Sequence, residues 1–402
     1  MSGQTSVKAP ERRAFETHLP ADTHIISCHS LHGPKVDTVG QPLLLIQHRG
    51  SDEKLRLVER VLSCLQSRIL YTDYEEHDVV TANTQAMTHA AFLAMGTAWR
   101  CSGDYPWETD RYPGGIETVK INIMIRILSA KWHVYAGLAI LNPSATIQVT
   151  QYAKSASDLF KLMIRGREEE MLERVFAARR NVFGWQDDEE GDGESSEQQV
   201  VDAAGASKAP LSSSSAASSS APAAAPSSHL PSSAKARRRR KPLLMSDSIL
   251  DEFHLAARKV IAQSGSNGSG KDEAAAQQAP RPPNSHLSLL AIVDCWSQLG
   301  IDPYAHLELA ATPIFRMWIG VCEYLFRSPE RIRSAVRAAT HDSTFRSDDI
   351  EFIVAARGWA EAVQFVNFNH YEWRFKDTAA FFQPRFEEAN KVGAEMLKVL
   401  TA

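Results

Sequence analysis

The chain has 402 residues, 44% hydrophobic and 23% charged, with a formal net charge of -4. That length suits one large or two ordinary domains, and the balanced charge gives no global attraction to nucleic acid. Cys28, Cys64, Cys101, Cys295 and Cys322 are scattered without a Cys-x-x-Cys pair, no apolar run reaches membrane-span length, and residues 1–10 lack a signal-peptide core. A soluble cytoplasmic protein with no disulfide framework and no metal site is expected.

The polar opening Ser6-Val7-Lys8-Ala9-Pro10 leads into a short helical stretch over 11–19. Strands are predicted over 23–27 and 42–48, the second carrying Leu43, Leu44, Leu45 and Ile46 in one run. Such a run fits a strand covered on both faces. The first strand leads to Cys28-His29-Ser30-Leu31-His32-Gly33-Pro34. α/β sheets place ligands at strand ends, and imidazole titrates nearest neutrality, so His29 is a candidate proton acceptor. A structural, hydrogen-bonded histidine is the competing reading. Residues 1–50 therefore look like the tail of an α/β domain.

From Ser51 the period becomes helical, with Leu55, Leu57, Val58, Val61, Leu62 and Leu65 on 52–69, and a further short strand is expected over 70–73. Glu75-Glu76-His77-Asp78 opens a long helical pattern through His89, a turn-rich stretch covers 104–115, and helix resumes over 117–141 and from Pro143 to about 183. Residues 186–284 are acidic, then rich in Ser, Ala and Pro, then basic at 237–241, and are predicted to be a disordered insert with one isolated helix over 243–262. Helices return from 285, with Pro313 and Pro329 at first turns and with Phe315, Trp318, Tyr324, Phe326, Trp359, Phe365 and Phe368 as core aromatics. The domain plan is 1–50, 51–185, 186–284 and 285–402, mainly α. No Gly-x-Gly-x-x-Gly follows a strand, and the Gly-rich tract over 264–270 lies in low-complexity sequence, so cofactor-binding residues are not assigned.

Ser-Val-Lys, then CHSLHGP, GQPLLLIQHR, Glu-His-Asp, ANTQAMTHAAFLAMG and GGIETVKINIMIRILSAKWHVYAGLAILNP follow one another in the order seen in prephenate dehydrogenases. The chain resembles the NADP-linked, fungal-type branch over about residues 3–183 and more loosely over 286–400. The resemblance implies the C-terminal part of a dinucleotide-binding, Rossmann-type α/β domain followed by a helical substrate and dimerisation domain. It implies NADP as cofactor, prephenate as substrate, 4-hydroxyphenylpyruvate as product and a homodimer. His29 matches the family's proton-accepting histidine and Ser6 the hydroxyl beside it. His89 matches a second pocket histidine. Arg126 is the candidate carboxylate clamp, since a guanidinium fork suits a carboxylate, with Lys120 as the fallback. The family's Gly-rich turn has no counterpart here, which leaves a truncated enzyme or a non-catalytic paralogue or regulatory subunit as alternatives.

Overall fold

The computed structural model describes residues 1–32, 37–109, 112, 114–188, 253, 255, 282–310 and 312–401. Most of the predicted disordered insert therefore lies outside the described residues.

Three strands form one sheet in the order β1 (Ile25–His29), β2 (Pro42–Arg49), β3 (Arg68–Tyr71). β1 and β2 are antiparallel, and β2 and β3 are parallel. A parallel pair needs a crossover, and α2 (Asp52–Leu62) provides it. The pleat explains the unbroken apolar run of β2. Leu43 and Leu45, with Cys28, pack under Leu55, Val58 and Leu62 of α2. Leu44 points to the other face, against Leu31, Val80 and Ala310. The sheet-bearing part thus reaches Tyr71, beyond the boundary at residue 50 that the change in period suggests, because α2 buries its apolar face on the sheet. α1 (Lys8–His18) precedes β1.

Helices make up the rest. α3 (Tyr74–Thr81) is capped by the Asp73 carboxylate on the Glu76 N–H, 2.6 Å. It runs through a π-helical segment, Ala82–Ala86, into α4 (Met87–Ser102). α5 (Ile116–Leu128) and α6 (Trp132–Ile140) meet at a bend of 98°, where a single helix over 117–141 was expected. No single helix among the described residues is long and apolar enough to cross a membrane. α7 (Pro143–Ile164) and α8 (Glu168–Phe183) follow, split at Gly166, whose φ of 62° ends the first of them. Then come α9 (Leu287–Leu299), α10 (Pro303–Leu309), α11 (Pro313–Arg327), α12 (Pro329–His341), α13 (Arg346–Gln364), α14 (Phe368–Phe382) and α15 (Phe386–Thr401). Proline opens α7, α10, α11 and α12, where its missing N–H costs nothing.

The helices before and after the insert share one hydrophobic core. Arg174 of α8 forks onto Asp294 of α9 at 2.8 and 2.7 Å, joining the two segments. Phe315, Trp318, Phe326 and Trp359 are core residues as expected, whereas Phe365 sits in the turn after α13 and is 74% exposed. Phe253 and Leu255 also enter this core, and Asn122 Nδ2 donates to the Phe253 carbonyl at 3.2 Å. That part of the insert is therefore anchored, not the isolated helix its surroundings suggest. Phe253→Ala should lower unfolding free energy by about 3 kcal/mol, the low end for a buried phenylalanine. Urea denaturation measures it, and an unchanged midpoint would show the anchor to be dispensable.

Candidate active site

Two histidines and an aspartate meet where β1 ends. His29 is the last residue of β1, and His77 and Asp78 lie within α3; all three are buried. His29 Nδ1 is 2.8 Å from His77 Nε2, and His77 Nδ1 is 2.9 Å from Asp78 Oδ1. Asp78 also accepts the Lys8 N–H at 2.7 Å and the Ala9 N–H at 2.8 Å. These are orphan donors at the start of α1, whose own N-cap residue, Val7, has no side-chain acceptor. One carboxylate thus caps α1 from a distant helix and orients His77.

The hydrogen bonds fix the tautomers. An ionised Asp78 only accepts, so His77 Nδ1 carries its proton. Neutral His77 then accepts at Nε2, so His29 donates from Nδ1. His29 Nε2 is left with a free lone pair, the form a general base requires. Burial pushes the His29 pKa well below its usual value, helped by the neighbouring His77, Lys8 and His32. The imidazole is neutral at working pH.

A second polar layer supports this end of the sheet. Lys8 Nζ reaches both Glu11 oxygens at 3.1 and 3.0 Å and the Cys28 carbonyl at 2.9 Å. Glu11 in turn accepts from Ser27 Oγ at 2.6 Å, and Ser27 meets Tyr74 Oη at 2.9 Å. Burial would raise the Glu11 pKa, but the Ser27 and Thr5 hydroxyls and the Lys8 ammonium hold it below the ordinary value. Asn142, at the start of α7, donates to the Asp78 carbonyl at 2.8 Å and so ties α3 to the helical core.

The residues expected from sequence are distributed around this centre. Ser6 is half-buried, two residues before the Lys8 N–H that Asp78 accepts, and makes no hydrogen bond among the described residues. His89 packs edge-on against Tyr135 with ring centroids 4.5 Å apart, and its pKa is lowered to about 3 by burial. Its Nδ1 and the Asn83 Oδ1 are buried with no hydrogen-bond partner. Arg126 is exposed in the last turn of α5 and has no ion-pair partner among the described residues. Its charge is felt by Tyr135, whose pKa burial pushes up to about 12 while Arg126 pulls it down. Arg126, Tyr135 and His89 thus form one line. Lys120 is elsewhere. It is buried 2.6 Å from Glu117, in a cavity also lined by His286, Ser288 and Asp349 that contains neither His29 nor His89. His77, Asp78, Asn83 and Asn142 were not singled out as site residues from the sequence. The adjacent His77-Asp78 pair was the available signal.

A helical core carrying a buried histidine relay beside a partial α/β sheet is the arrangement of a two-domain dehydrogenase. The family described as a 6-phosphogluconate dehydrogenase C-terminal domain matches the chain over residues 86–231 and again over 229–402. The chain is 43% identical over 400 residues to the probable prephenate dehydrogenase [NADP(+)] of Schizosaccharomyces pombe, covering all of this chain and 77% of that protein. It is 42% identical over 403 residues to the prephenate dehydrogenase [NADP(+)] of Saccharomyces cerevisiae, covering 74% of that protein. A probable arogenate/prephenate dehydrogenase of Methanocaldococcus jannaschii is 22% identical over 142 residues, 35% of this chain and 32% of that one. The chain belongs to the NADP-dependent prephenate dehydrogenase family.

Proposed function

We propose that this chain carries out the oxidative decarboxylation of prephenate to 4-hydroxyphenylpyruvate in tyrosine biosynthesis, with NADP as oxidant. The observation that carries this reading is the His29–His77–Asp78 relay, which leaves His29 Nε2 as a bare acceptor. That nitrogen accepts a hydrogen bond from the ring hydroxyl and then its proton as the carbon becomes a carbonyl. Loss of the ring carboxylate as CO2 makes the ring aromatic, so the protein mainly positions and desolvates. Ser6 is placed in this reading beside the hydroxyl, and His89, with its unpartnered Nδ1, faces the substrate from the helical side.

NADP supplies the hydride acceptor when bound. The residues present do not fit its pyrophosphate: no glycine-rich turn links a strand to a helix in this sequence, and no residue is assigned to that role. The reaction is therefore derived only for the proton and the carboxylates.

Arg126 is the proposed carboxylate clamp, because its guanidinium is unpaired among the described residues while Lys120 is tied to Glu117. Arg126→Ala should weaken binding of 4-hydroxyphenylpyruvate by about 1.5–3 kcal/mol, the loss of a charged hydrogen bond, without moving the melt. Calorimetry that finds unchanged affinity for Arg126→Ala and a drop for Lys120→Ala would transfer the role. The function itself is tested by mixing the protein with prephenate and NADP and following NADPH absorbance together with 4-hydroxyphenylpyruvate. Equimolar formation is expected. Substrate binding without any NADPH would favour a regulatory subunit instead.

A further inference from the structure

The helical part is one unit built twice. α7 and α13 end at Ile164 and Gln364, two hundred positions apart, and α8 and α14 begin at Glu168 and Phe368 with the same interval. α4 and α9 begin at Met87 and Leu287. The turns agree bond for bond. Gly166 has φ 62° and Val366 φ 53°. The Gly166 N–H reaches the Met163 carbonyl and the Arg167 N–H the Leu162 carbonyl, at 3.1 and 3.0 Å; Val366 and Asn367 reach Val363 and Ala362 at the same distances. The buried faces coincide as well, with Ala156 over Ala356, Leu159 over Trp359 and Met171 over Tyr371.

The two copies pack reciprocally. α4 of the first lies along α13 of the second, α9 of the second lies along α7 of the first, and α7 meets α13. Element a touching element b′ while a′ touches b is the pattern of an isologous two-fold interface.

Only one copy carries the catalytic end. Leu289 stands at the position of His89, and the sheet precedes the first copy. The second copy instead contributes to that end. His306 of α10 accepts from Asn83 Nδ2 at 3.0 Å on its Nδ1. Ala310 packs on Leu31, Leu44 and Val80 next to His29, and the Phe375 ring stacks on Tyr135, which holds His89.

We infer that the second helical copy stands where the second subunit of a two-fold dimer would stand, so that the chain is a monomer with one catalytic centre completed by its own second copy. The single-centre part rests on the function proposed above; the assembly part does not. It replaces the homodimer that the resemblance implies. His306 is a positioning residue, holding Asn83 beside α3.

Sedimentation equilibrium of the full chain over a wide concentration range should return the mass of one chain throughout. A mass that doubles with concentration would overturn the assembly. Titration with 4-hydroxyphenylpyruvate should saturate at one molecule per chain, and two would overturn the single centre. His306→Ala should weaken that binding about tenfold, the scale of one lost buried hydrogen bond, with the melt unchanged. His306→Gln should restore it, since the amide oxygen can accept from Asn83. Unchanged binding in His306→Ala would remove the second copy from the site. If wild type binds neither prephenate nor its product, the proposed function fails while the mass measurement still decides the assembly.

Discussion

His29→Asn should lower kcat by about 10²–10⁴, the usual worth of a general base, and leave the fold intact. The amide Nδ2–H can still donate to His77 Nε2, so the relay keeps its donor, but nothing at position 29 can then take the hydroxyl proton. Stopped-flow or steady-state NADPH formation measures the loss, and wild-type turnover in the variant would remove His29 from the reaction. The acid limb of kcat/KM adds an independent sign. Burial depresses the His29 pKa, so the base form survives below pH 6.5 and the rate should fall only under that value. Folding follows the same sign. A histidine neutral in the fold and protonated in the unfolded chain contributes stability that is complete above about pH 6.5. That contribution is lost progressively as pH falls toward the folded pKa.

Lys8→Met should cost about 3–5 kcal/mol of unfolding free energy, the range for removing one partner of a buried ion pair. The Lys8 side chain is wholly buried and that of Glu11 is 3% exposed. The ammonium meets two carboxylate oxygens and two backbone carbonyls, Gly3 and Cys28. Without it Glu11 keeps only the Ser27 and Thr5 hydroxyls and the Thr5 N–H against a buried charge. Urea denaturation at pH 7 reads the loss. The double change Lys8→Met with Glu11→Leu should recover part of it, because no charge is then left unpaired. A single-variant cost below about 1 kcal/mol, the level of an exposed pair, would mean that Lys8 is not what balances Glu11.

What could be read in advance divides along physical lines. The run Leu43–Ile46 named a strand covered on both faces, since two-sided burial erases alternation, and the sheet bears that out. His29 was legible because the strand ends there. His77 and Asp78 were not, because their significance lies in meeting His29 across 48 residues of sequence. Arg126 and Lys120 are both cations on one apolar helix, and only packing distinguishes the exposed one from the one bound to Glu117. The doubled helical unit escaped for a different reason. Gly166 and Val366 adopt the same left-handed turn, and Leu159 and Trp359 the same buried position, with unlike side chains. Geometry persists there after residue identity has gone.

The π-helical turn at Ala82–Ala86 has a consequence for how the two halves of the site were brought together. Such a turn is an ordinary helix holding one residue too many. Each residue of an α-helix turns the axis by about 100°. Excising one residue would heal the helix and swing α3 by about that angle relative to α4. His77 and Asp78 would then leave His29, although no residue of the relay had been altered. The surplus residue works as a phase adjuster. It lets α4 keep its apolar face in the core while α3 presents a catalytic face to the sheet, two demands that one unbroken helix of this sequence could not meet together.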